Sequence, residues 1–128
     1  MNRAIVLIAI LTILLSIVLG AFGAHALKEL ISGEKLISFE TGVRYQMYSG
    51  IALLVLGLNA DRFGFNLRTF FNLNFIGLCL FSVSIYLLAL QDVFGVSLRF
   101  LGPVTPVGGL LMIISWSYLL VKLVKSSK

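Results

Sequence analysis

Four long stretches of this chain carry no charged residue: 4–24, 45–60, 69–91 and 100–121. No other feature limits the fold as tightly. A hydrocarbon core of about 30 Å is crossed by roughly 20 helical residues, each rising about 1.5 Å. The first, third and fourth stretches meet that length outright. The second spans only if residues 41–44 join its helix, with the Arg44 side chain reaching back to the interface. Hydrophobic residues make up 59% of the chain and charged residues 12%, where soluble domains carry about 25% charge. So little charge cannot coat a water-facing surface, and lipid must be the solvent. The chain therefore reads as all-α, an integral membrane four-helix bundle running up-down-up-down. Residues 1–128 form one domain, with helices at about 4–24, 42–60, 69–91 and 103–122.

Asn2-Arg3, the first apolar run and Ala24-His25-Ala26 together imitate a secretory signal. The run exceeds the usual h-region of about 7–15 residues, so a retained first span is expected. The loop that follows mixes Lys28, Glu29, Glu34, Lys35 and Glu40 with Leu27, Leu30, Ile31, Leu36, Ile37 and Phe39. With Ser32-Gly33 as a turn, it reads as two short amphipathic pieces lying at the interface between helices one and two.

The net charge is +5, yet Lys and Arg punctuate the ends of apolar runs instead of clustering on one face. That pattern sets membrane topology and is no nucleic-acid footprint. With cytoplasmic termini, the inside holds Arg3, Arg62, Arg68, Lys122, Lys125 and Lys128, and the outside holds Lys28, Lys35, Arg44 and Arg99. The balance favours N-in, C-in. Trp116 and Tyr118 suit an interfacial aromatic belt.

Small residues supply the packing faces. Thr12, Ser16, Gly20 and Ala24 recur every fourth position, and Gly42, Gln46, Gly50 and Gly57 share one side of helix two. Such stripes let membrane helices approach closely. Gly108 and Gly109 open helix four after Pro103 and Pro106, which a first helical turn tolerates.

The candidate functional polar residues are His25, Glu40, Arg44, Gln46 and Thr105. Glu40 and Arg44 are four apart and could pair on one helix face. His25 is the chain's sole histidine, and a lone imidazole cannot hold zinc unaided. Cys79 excludes an internal disulfide by being single, and reads as a small buried hydrophobe. No nucleophile motif, metal spacing or phosphate loop is present, so neither an enzyme nor a cofactor is expected.

The segments Gly20-Ala-Phe-Gly-Ala-His25, Arg44-Tyr-Gln-Met-Tyr48 and Gly102-Pro-Val-Thr-Pro106-Val-Gly-Gly109, with Trp116, resemble the YgdD/YwdK-like family of small four-helix membrane proteins of unknown function. The resemblance covers nearly the whole chain and implies a bacterial cytoplasmic-membrane protein. That family often has histidine where this chain has Ser49, so a two-histidine scheme is not implied here. The leading expectation is a non-enzymatic accessory subunit or membrane-integrity factor acting through helix packing, with lipid and other membrane subunits, or itself, as partners. A small dimeric transporter is the first alternative, although residues 4–24 hold no acid. A lipid-headgroup enzyme is the second, and it requires His25, Glu40 and Arg44 to converge.

Overall fold

A computed structural model describes residues 1–126, and no strand occurs among them. Lys128, counted above for orientation, lies outside that range. The helices are α1 (Arg3–His25), α2 (Gly33–Leu58), α3 (Arg68–Leu78), α4 (Ser84–Phe94) and α5 (Val104–Ser126). A π-helical turn, Cys79–Val83, joins α3 to α4 without a break, so the two form one third span, Arg68–Phe94. Three segments are long and apolar enough to cross a membrane: Arg3–Glu29, Arg68–Phe94 and Arg99–Ser126. Helix α2 has the length, at 26 residues, but Glu34, Lys35, Glu40, Arg44 and Gln46 make its first half more polar.

Helix α2 begins much earlier than residue 42. Ser32 is its N-cap, and the Ser32 hydroxyl accepts from the Lys35 N–H at 3.3 Å. A serine in extended conformation before a helix satisfies one of its orphan N–H groups. The expected turn is thus a helix start. Of the two interfacial pieces expected here, only the 3₁₀ turn Leu27–Glu29 is separate. Leu27 and Phe39 do not face lipid; they are buried against Ala89, with Tyr86 and Leu90 beside them.

Each helix buries a narrow stripe at alternating spacings of three and four. On α1 it runs through Ile5, Ala9, Thr12 and Ser16; on α2, Phe39, Gly42, Gln46, Ser49, Leu53 and Gly57; on α5, Gly108, Met112, Ser115 and Leu119. That repeat keeps one seam aimed at a neighbour along the whole helix. The outer faces stay apolar and open: Leu7, Leu14 and Ile17 of α1, and Ile113 and Leu120 of α5, are all exposed. Apolar surface this continuous needs lipid to cover it.

Helices α1 and α2 run antiparallel in close register. Gly57 faces Ile5 and Val6, Gly50 faces Ile13, and Gly23 faces Phe39. The Asn2 N–H donates to the Gly57 carbonyl at 2.8 Å. Helix α5 lies along the third span in the same antiparallel sense, with Thr105 beside Ser84 and Ser115 beside Asn74. The third span also packs on α2, through Tyr86 at Gly42. Ile5, Leu53, Phe70 and Leu119 gather all four chain segments at the end where α1 begins.

The backbones of α5 and the third span touch at the π turn. A Cβ on Gly108 would lie 2.4 Å from the Phe81 nitrogen and 2.6 Å from the Gly77 carbonyl oxygen. The extra residue of a π turn widens the helix; Phe81 O accepts both the Ser84 N–H and, at 3.0 Å, the Ser84 hydroxyl. Cys79, expected inside, is exposed, because the turn places it on the outward side.

Candidate functional site

The polar side chains that sequence places inside apolar runs meet one another between the helices. Gln46 is the centre of the first set. Its Nε2 donates to the Thr12 carbonyl on α1 at 3.0 Å, and its Oε1 accepts from the Tyr86 hydroxyl on α4 at 2.6 Å. One amide thus ties α2 to helices on both sides. Ser16 donates to the Val43 carbonyl at 2.9 Å, and Ser82 to the Gly42 carbonyl at 2.9 Å. Both hydroxyls cross from their own helix onto α2. Within a membrane such bonds contribute on average about 0.6 kcal/mol each, up to about 1.7.

A second set joins the third span to α5. Asn74, fully buried, donates through Nδ2 to the Ser115 hydroxyl at 3.0 Å, and Ser115 donates on to Met112 O at 2.7 Å. Asn74 Oδ1 meets no donor among the described residues. The Ser84 and Thr105 hydroxyls lie 2.6 Å apart.

The candidate residues therefore do not form one cluster. Gln46 belongs to the first set and Thr105 to the second. His25, in the last turn of α1, is exposed, as are Glu40 and Arg44 on α2. Arg44 Nε reaches the Glu40 backbone carbonyl at 3.5 Å. No ion pair between the Arg44 guanidinium and the Glu40 carboxylate forms among the described residues, so the expected side-chain pairing is replaced by a backbone contact. The convergence of His25, Glu40 and Arg44 that headgroup chemistry requires is likewise not made by any hydrogen bond or ion pair among them. The ion pair at that end instead joins Lys35 to Asp92, from α2 to α4.

The small residues also separate. Ser16, Gly50, Gly57 and Gly108 are buried in interfaces, and Gly20 is half-buried against Val43. Gly109 is half-buried beside Phe81, and Ala24 is exposed, outside the packing stripe. Sequence reasoning passed over Ser115 altogether. Its signal was present: it stands seven residues after Gly108, on the same buried stripe.

Two lateral grooves remain open between the helices. One, of about 300 Å³, lies between α1 and the third span, with Thr12, Gln46, Ser82 and Tyr86 along it. The other, of about 570 Å³, lies between α2 and α5 and is lined by Tyr45, Tyr48, Ser49, Phe81, Met112 and Trp116. Trp116, expected at the interface, stands edge-on to Phe70 with ring centroids 5.1 Å apart. Tyr118 lies under the Lys122 ammonium, 5.7 Å from its ring centre.

Apolar outer faces, three membrane-length segments and hydrogen bonds turned inward define an all-α membrane protein. Comparison with known proteins places it further. The family model described as "Protein of unknown function (DUF423)" matches residues 19–109, and the chain belongs to that family. It is 37% identical over 123 residues to a UPF0382 membrane protein of Staphylococcus epidermidis, covering 96% of this chain and 97% of the relative. The UPF0382 membrane protein YwdK of Bacillus subtilis is 36% identical over 125 residues, covering 96% and 98%. No solved structure matches the chain.

Proposed function

We propose that this protein is a non-enzymatic subunit of the bacterial cytoplasmic membrane that acts by packing against other membrane proteins. One observation carries the reading: Gln46, Ser16, Ser82 and Asn74 are all spent on bonds between helices. Chemistry needs polar groups that converge on a shared open point, whereas these groups fasten helix to helix. In this reading α2 crosses the bilayer as well, as the second of four spans running up-down-up-down. The antiparallel register of α1 with α2 and of α5 with the third span supports that topology.

Arg3, Arg62, Arg68, Lys122 and Lys125 belong to one end of the helices, and Lys28, Lys35, Arg44 and Arg99 to the other. The positive-inside rule then orients both chain ends toward the cytoplasm. The orientation is tested with Ser32→Cys and Asn66→Cys, each made in a Cys79→Ala background, using a membrane-impermeant maleimide on intact cells. The thiol introduced at position 32 is expected to label at once, and the one at position 66 only after lysis. The reverse order would invert the topology, and equal labelling would remove α2 as a span.

The accessory role is tested by native mass spectrometry of tagged protein extracted in mild detergent. The expected result is recovery within one larger complex at fixed stoichiometry. Recovery as a bare monomer across several mild detergents would sink the subunit reading.

A further inference from the structure

The groove between α2 and α5 differs from its counterpart in one chemical respect. In the α1 groove the polar groups are paired: Gln46 with Thr12 and Tyr86, and Ser82 with Gly42. In the α5 groove the hydroxyls of Tyr45, Tyr48 and Ser49 make no hydrogen bond to any described residue. Ser49 is only 5% exposed, so its free hydroxyl is recessed in the floor. Tyr48 is 60% exposed and Tyr45 46%, and they form one rim.

The depth of this groove makes those free donors costly. Gly50 stands against Ile13, near the midpoint of α1. Tyr45 stands against Phe81, ring centroids 5.1 Å apart, and Phe81 is central in the third span. Ser49 and Tyr48, within two residues of Gly50, therefore sit near the middle of a hydrocarbon layer about 30 Å thick, with Tyr45 about a turn closer to the end that holds Arg44. A hydroxyl left unbonded in hydrocarbon loses several kcal/mol of hydration. Lipid tails offer no acceptor, and the recessed Ser49 hydroxyl lies beyond the reach of phosphates and ester carbonyls.

We propose that this groove binds a lipid-soluble molecule with a flat ring bearing carbonyl oxygen, the chemistry of a quinone. The carbonyl reaches the recessed Ser49 hydroxyl and the Tyr48 phenol, while the ring lies among Tyr45, Phe81 and Trp116. Offset and edge-to-face contacts hold flat rings in such a slot, and an apolar pocket with a few convergent donors is the usual form of a small-molecule site. Gly109 leaves room on the α5 wall.

Trp116 is the chain's only tryptophan, so its fluorescence reports on this groove alone. Purified protein in lipid vesicles is titrated with menadione, a bare ring quinone, with methylnaphthalene as the carbonyl-free competitor. The expected result is saturable quenching that excess methylnaphthalene does not displace. Ser49→Ala and Tyr48→Phe are each expected to weaken binding between about threefold and tenfold, the loss of one hydrogen bond. Gly109→Leu is expected to abolish saturation by filling the groove. A Cβ there meets only Phe81, at 3.7 Å, so the fold accommodates it, and helical circular dichroism checks each variant. Quenching that is linear in probe and equal in all variants would overturn the proposal. So would equal displacement by methylnaphthalene. A stable dimer that Tyr48→Phe splits, with no saturable quenching, would also overturn it and assign the groove to a second copy of the chain.

Discussion

Gly108→Ala is expected to destabilise the protein by about 3 kcal/mol, the upper part of the range for overpacking a dense interface. One methyl group there would sit 2.4 Å from the Phe81 nitrogen and 2.8 Å from the Leu80 carbonyl carbon. Both are backbone atoms of the π turn, so no side-chain rotation relieves the clash. Either α5 moves off the third span, breaking Asn74 to Ser115 and Ser84 to Thr105, or the π turn rearranges. Gly109→Ala, one residue along, is the control, because its Cβ makes only ordinary contact with Phe81. Reversible unfolding in mixed micelles, followed by circular dichroism, measures both. Equal stability of the two variants would refute the backbone contact.

Gln46→Leu is the second large effect, at about 2 kcal/mol. It removes two interhelical hydrogen bonds and leaves the half-buried Tyr86 hydroxyl without its partner, and a polar group orphaned away from water costs about 1–3 kcal/mol. Leucine approximates the volume, so little of the loss comes from a cavity. A double-mutant cycle with Tyr86→Phe isolates the pair. Once Gln46 is gone, Tyr86→Phe should cost little, leaving a coupling of about 1 kcal/mol, within the range for hydrogen bonds in membranes. Strict additivity would mean that the Tyr86 to Gln46 bond, 2.6 Å long, contributes nothing to stability.

The spacing of small residues made the α1–α2 interface legible. Ser16, Gly50 and Gly57 recur at helical intervals, and a stripe of small residues has little use except close approach. Ala24 continues that arithmetic but stays exposed, because the seam has turned to Gly23 and Leu27 by the last turn of α1. Regular fourfold spacing drifts around a helix of about 3.6 residues per turn. The charged first turns of α2 misled for a different reason. Glu34, Lys35 and Glu40 suppress local hydropathy, but hydropathy reports solvent and not backbone conformation. The Ser32 cap was the better local signal.

For the candidate site, polarity within apolar runs was visible while pairing was not. Gln46 stood out as a costly group, yet nothing near it in the chain names Thr12, 34 residues earlier, or Tyr86, 40 residues later, as its partners. His25, Glu40 and Arg44 stood out because they are ionisable, and the fold leaves them on the surface.

Partition into lipid is thus settled by sequence alone, since 59% hydrophobic residues with 12% charged leave no soluble alternative and transfer free energy is summed residue by residue. Helix content follows too, because a chain in hydrocarbon must satisfy its own backbone. Which hydroxyls are paired and which are left facing lipid was decided only by tertiary structure. The π turn at Cys79–Val83 resets the third span by one residue, sending Ser82 to α2 and Ser84 to α5. A local periodicity carries no record of that slip, and the turn packs against the backbone of Gly108 on another helix.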